Sequence, residues 1–157
     1  MNTLITARQV AELAFDAGEF LPPGAVTEAD IAAAEERFLL PVVGRPLCDR
    51  LREGGYPQLL DDYVAPALAA CVRLSVQPML DIRTGPYGST APRSDCFEPA
   101  DEEQCSARLR ALRRRARTLL HRMSEWLDAH AGEHPEYQPR ENIFKRCTID
   151  GNLVQIH

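Results

Sequence analysis

Long apolar runs, paired cysteines, lysine and aromatic rings are all scarce in this chain. No stretch approaches the ~20 apolar residues that a membrane-spanning helix needs, so no association with a bilayer is expected. The opening MNTLITARQV has no basic segment leading into an apolar one. No secretion leader is therefore expected, and the chain should stay in the cytoplasm of the cell that makes it. Five cysteines (Cys48, Cys71, Cys96, Cys105, Cys147) are an odd number and include no C-x-x-C pair. That argues against a disulfide framework or a zinc ribbon. Phe, Trp and Tyr make up 6% of the residues, too few near any basic segment to form a platform on which bases stack. There is one lysine against seventeen arginines.

Catalytic patterns are missing as well. GPYG (85–88) is neither G-x-G-x-x-G nor a P-loop and reads as tight turns. No G-x-S-x-G elbow occurs, and no cysteine stands in an obvious partnership with a histidine. His130 and His134 are four apart, but Gly132 between them and Pro135 after them mark a helix ending, not a metal face; no metal and no cofactor are expected. The adjacent pairs Glu35–Glu36 and Asp61–Asp62 point to different sides of a helix and read as solvated charge. The expectation is a protein that is not an enzyme.

What is present is helix. With 157 residues, 45% hydrophobic and 26% charged, the chain reads as one domain, 1–157, large enough to bury a core. Thr6 caps a short helix with Val10, Leu13 and Ala14 on one face. Thr27, with Asp30 three residues on, opens a second in which Ile31, Ala34, Phe38 and Leu39 face inward. It should end near Pro41 or Gly44. Pro46 suits the first turn of RPLCDRLREGG, which stops at Gly54–Gly55. In 57–85 the apolar positions Leu60, Val64, Leu68, Cys71, Val72, Leu74, Met79 and Ile82 recur at three and four. That predicts a short helix to about Tyr63 and a buried central helix from Pro66, kinked near Pro78.

Residues 86–100, rich in Gly, Pro and Ser, read as an extended loop. From Asp101 to about Ala131 runs a long helix. Its Cys105, Leu109, Leu112, Ala116, Leu119, Met123, Trp126 and His130 alternate in spacings of four and three, a seven-residue repeat. The tail, 145–157, carries β-branched residues about Asp150–Asn152 and reads as a small β-hairpin. The fold class expected is all-α, a mainly helical bundle, with that C-terminal hairpin.

The charge is uneven. The net charge is −5, yet 108–123 holds seven arginines in sixteen residues: Arg108, Arg110, Arg113, Arg114, Arg115, Arg117 and Arg122. None falls on the apolar positions of the repeat, so all should lie on the wet faces of the last helix. Three readings follow. The arginines could be a solvated face paired with the acidic remainder, a contact for an acidic neighbour, or a nucleic-acid grip. A pI of about 5.4 and the lack of any helix-turn-helix, zinc-finger or RNP pattern weigh against the last. Phosphate contacts alone would need none of these patterns.

TEADIAAAEERFLLPVVGRPLCDRLREGGYPQLLDDYVAPALAACVRLSVQPMLDIRTG (27–85) and PEYQPRENIFKRCTIDGNLVQIH (135–157) together resemble a family of small prophage proteins encoded among capsid and tail genes. More distantly, the order of elements is similar to that of the head–tail connector (adaptor) proteins of tailed phages. The interrupting Pro66 and Pro78 and the long last helix depart from the simple connector pattern. The resemblance implies a structural protein that forms an oligomeric ring between portal and tail. Its partners would be copies of itself, the portal and tail-completion proteins, with non-specific DNA contact in the channel as a further use of the arginines. The protein would then pass from the bacterial cytoplasm to the virion neck. On this view the loop 86–100 reaches toward the portal, and the hairpin, with Cys147, Ile149, Leu153 and Ile156, adds strands between neighbours. The alternative is a helical DNA-binding or regulatory protein using the Arg-rich helix 108–122.

Overall fold

A computed structural model describes the main chain over residues 3–85, 88–90, 100–145, 147–150 and 153–156, with side chains over 3–82 and 100–145. The described architecture is all-α. Its centre is α6 (Ala65–Asp81), against which α1 (Ala7–Ala14), α2 (Glu28–Ala34) and α7 (Glu102–Ala129) pack. The short helices α3 (Leu40–Val43), α4 (Arg45–Arg52) and α5 (Pro57–Leu59) complete the bundle.

Three of the helices begin with reciprocal caps. Thr6 with Gln9, Thr27 with Asp30, and Asp101 with Gln104 each satisfy two backbone N–H groups that the first turn leaves without partners. Gly44 ends α3 at φ 81°, ψ 159°, a conformation almost confined to glycine.

Of the two ends the sequence offers for the helix opened by Thr27, Gly44 is the one observed and Pro41 is passed through, while Pro66 lies in the first turn of α6 without separating it from α5. Pro41 and Pro66 each follow a π-helical stretch, Glu35–Leu39 and Leu60–Val64. The last N–H before each proline donates five residues back, Leu40 to Glu35 and Ala65 to Leu60. Widening the turn relieves the clash between the proline ring and the preceding carbonyls. The helix that starts at Thr27 therefore runs through Pro41 to Gly44, and α5 joins α6 without interruption. Pro78 lies inside α6.

Along α6, Ala67, Leu68, Ala69, Cys71 and Val72 are fully enclosed. The small residues let α1, α2 and α7 approach the helix from several sides, which is why no single apolar stripe is visible in its sequence. Burial pushes the thiols of Cys48 and Cys71 up to about 12, those of small core residues. Three residues expected inward are not. Leu13, Met79 and Ile82 are exposed, Met79 to 75%.

On α7 the buried row is Leu112, Ala116, Leu120, Met123 and Leu127. A straight helix drifts by ~20° per heptad, so its contact with α6 follows the i, i+4 row and leaves the strict seven-residue repeat. Leu109, Leu119 and Trp126 are only half-buried as a result.

The main chain also pairs antiparallel in two places. β1 (Arg83–Gly85) pairs with β2 (Gly88–Thr90), and β3 (Cys147–Asp150) with β4 (Leu153–Ile156), Cys147 opposite Ile156 and Asp150 opposite Leu153. Most of the loop 86–100 and the turn residues Gly151 and Asn152 lie outside the described residues, as do the side chains of Cys147, Ile149, Leu153 and Ile156.

Candidate interaction surface

The core row of α7 fixes which way the arginines point. With Leu112, Ala116, Leu120, Met123 and Leu127 against the core, Arg108, Arg110, Arg113, Arg114, Arg115, Arg117 and Arg122 are all exposed. Pairing with the acidic remainder of the chain is slight. Among the described residues only Arg108 meets a carboxylate, that of Glu19. Arg115 donates to the Leu13 carbonyl at 3.4 Å, and Arg117 reaches His121 at 3.4 Å. Arg122 lies over the Tyr63 ring at 5.1 Å. Arg110, Arg113 and Arg114 have no ion pair or side-chain hydrogen bond among the described residues.

Two of the hollows along this face adjoin Arg113 and Arg114. One, of about 240 Å³, is walled by Phe38, Pro41, Val42, Leu74, Leu120, Ile143 and Phe144, and by three arginines, Arg37, Arg113 and Arg117. The Arg37 guanidinium sits 5.1 Å from the Phe38 ring centre. The other, of about 480 Å³, is lined by Arg114, Arg117, Thr118, His121, Arg122 and Glu125. These are positions i, i+3, i+4, i+7, i+8 and i+11 of one helix, so they share a face.

The segment that closes the first hollow, Ile143–Lys145, is held by a polar network. The buried Asn142 amide donates to Ser124 Oγ at 2.7 Å and Tyr137 Oη at 2.8 Å, and its oxygen accepts from the Phe144 N–H at 3.0 Å. Tyr137 in turn donates to Asp128 at 2.9 Å, which also pairs with Lys145 at 2.8 Å. Burial pushes the Tyr137 phenol up to about 12, so it remains a donor throughout the ordinary pH range.

A third hollow, of about 570 Å³, lies at the start of α2. Phe20, Pro22, Thr27, Asp30, Val76, Met79 and Leu80 line it. Phe20 is 81% exposed.

Two buried acid–arginine links escaped the sequence reading. Glu35, expected as solvated charge, is buried; it accepts from the Leu4 N–H at 2.7 Å and from Arg52 at 2.7 Å. Arg73, inside the apolar run of α6, donates to the Ala14 carbonyl and to Glu19, and lies over the Phe15 ring at 4.4 Å. No local signal marks either residue, because the partners are distant in sequence.

His130 and His134 both pack on Trp126, with ring centroids 4.1 and 5.4 Å away, and Tyr63 stacks on the same indole at 4.8 Å. Among the described residues no group of three or more His, Cys, Asp or Glu side chains is placed to hold a metal ion, and no helix is long and apolar enough to cross a membrane.

These features define an all-helical protein with an exposed arginine face beside an apolar groove. The profile of a family of unknown function (DUF6712) matches residues 34–146, and the chain belongs to that family. The matched span takes in α6, α7 and the Asn142 network. No curated protein and no solved structure matches the chain.

Proposed function

We propose that this is a structural phage protein of the head–tail junction, assembling into an oligomeric ring between portal and tail. The observation that carries the reading is the state of Arg110, Arg113 and Arg114. They are exposed and unpaired among the described residues, and Arg113 also lines an apolar groove. Concentrated like charge that meets no carboxylate at Arg110, Arg113 and Arg114 among the described residues favours binding to another macromolecule. The resemblance of 27–85 and 135–157 to small prophage proteins supplies the context. On this reading the partners are further copies of the chain, the portal and tail-completion proteins. The protein works as a scaffold and not as an enzyme, and it moves from the bacterial cytoplasm to the virion neck.

The C-terminal segment 145–157 would act as a hairpin that adds strands between neighbours. Among the described residues the β3–β4 ladder has two strands, so each has one edge with no described strand beside it. Cys147, Ile149, Leu153 and Ile156 are the residues we assign to that contact. Removing 147–157 should prevent stable incorporation into particles; incorporation at the normal level would refute the strand-addition part.

Inducing a prophage that lacks this gene tests the whole reading. Filled heads and free tails that fail to join are expected, and normal joined particles would refute it.

A second reading is favoured by one observation. Arg114, Arg117 and Arg122 share a face with Thr118 and His121 around one hollow, an arrangement that suits successive phosphates. A helical DNA-binding or regulatory protein using 108–122 would bind duplex DNA with an affinity falling steeply as salt rises.

A further inference from the structure

We propose that the groove beside the arginine face takes the Phe20–Met79 patch of a second copy of this chain, in a head-to-tail contact. The groove offers Phe38, Leu74, Ile143 and Phe144 as apolar floor, with Arg37, Arg113 and Arg117 as the charged residues lining it. Ile143 is 43% exposed. The patch offers Phe20, Met79 and Leu80, and the charged residue lining its hollow is an acid, Asp30. Apolar surface would meet apolar surface, and arginine would meet carboxylate.

The two surfaces face apart on the molecule. Leu74 of α6 reaches the groove, while Val76, Met79 and Leu80 of the same helix line the patch. At 3.6 residues per turn these three lie roughly 140° to 240° round the helix from Leu74. A chain with complementary surfaces on opposed sides binds the next copy by a heterologous contact, which yields a closed ring or an open filament. A two-fold groove-to-groove dimer is disfavoured, because it would set Arg37, Arg113 and Arg117 of one copy against those of the other. This contact rests on the ring-forming reading for its use in the virion, but not for its chemistry.

Sedimentation of the full chain at increasing concentration, up to about 1 mM in low salt, tests the contact, since weak contacts fall in that range. Two variants are needed: Arg113→Glu with Arg117→Glu in the groove, and Phe20→Asp with Met79→Arg in the patch. All four side chains are exposed, and circular dichroism checks that both variants fold.

The wild-type chain should associate beyond a dimer, and each variant alone should lose at least tenfold in self-association, a loss of about 1.4 kcal/mol. An equimolar mixture of the two should stop at a one-to-one dimer. One variant keeps its patch and the other its groove, so only a single contact can form. A wild-type chain that stays monomeric through the range, variants that associate like the wild type, or a mixture that fails to pair would each overturn the contact. None of these results would alter the head–tail reading, which the gene deletion judges by itself.

Discussion

Arg73 Nη2 lies 2.6 Å from Glu19 Oε1, tying the middle of the core helix to the loop that follows α1. Arg73 is buried and Glu19 half-buried, and Glu19 also meets Arg108 on α7. One carboxylate thus joins three parts of the chain. Removing it would leave the buried Arg73 guanidinium with the Ala14 carbonyl but without its carboxylate partner. We expect Glu19→Ala to cost about 3 kcal/mol, read as a lower urea midpoint at pH 7.

The same carboxylate makes stability depend on pH. Burial pushes Glu19 up, but hydrogen bonds from Arg73, the Asp16 N–H and Arg108 outweigh it and hold the carboxyl down at about 2. An unfolded glutamate titrates near ~4.3. The folded state therefore binds fewer protons in the interval between. The contribution of Glu19 is fully present above ~4.3 and is lost as pH falls toward the folded value. Urea midpoints of wild type and Glu19→Gln should differ most at neutral pH and converge as pH falls toward 2. A difference that stays constant down to that pH would contradict this account.

Glu35 makes a second such link, between the N-terminal segment and α4. Glu35→Gln replaces one acceptor oxygen with a donor facing Arg52 or the Leu4 N–H. It should destabilise the fold by about 2–4 kcal/mol, whereas Glu36→Gln, at an exposed neighbour, should change stability by under about 0.5 kcal/mol. Equal effects at the two positions would show that Glu35 is not enclosed.

Asn142 should matter for the groove more than for the core. Asn142→Ala removes two donated hydrogen bonds and one accepted bond and should cost about 2–3 kcal/mol. Hydrogen exchange should quicken over 137–145 while α6 stays protected. Exchange that quickens equally in both would mean that the tail and the core unfold as one.

Backbone conformation gives a sharper contrast. Gly44→Ala forces a side chain into φ 81°, ψ 159° and should cost about 1–3 kcal/mol. Gly132→Ala meets nothing within 4 Å and has no left-handed φ, so its thermal midpoint should hardly move.

The sequence makes legible whatever is decided locally. The caps at Thr6 and Thr27 and the start of the last helix near Asp101 are legible because a cap and its partner lie three residues apart and need no tertiary contact. The all-helical class and the central place of α6 follow from spacing and apolarity. The wet position of the seven arginines follows from the same periodicity.

Features decided by distant neighbours are not legible. Met79 and Ile82 fit the apolar rhythm of α6, yet both are exposed, because the spacing alone does not say how far along that helix α1, α2 and α7 pack. Glu35 finds its partners 31 and 17 residues away, so its sequence neighbourhood is that of any surface acid. The π-helical turns before Pro41 and Pro66 let the helix run on past each proline, an outcome that the usual helix-breaking role of proline does not announce. The groove is assembled from residues 37–42, 74, 113–120 and 143–144, four separated segments whose convergence no single motif announces.

The measurement that bears most directly on the head–tail assignment is quantitative mass spectrometry of particles purified after induction of the host's prophage. The account predicts this chain in the particles at a fixed ratio to the portal subunit, retained through high-salt washing. Intact particles that form without the chain would contradict it, and the Arg108–Arg122 helix would then be tested on DNA.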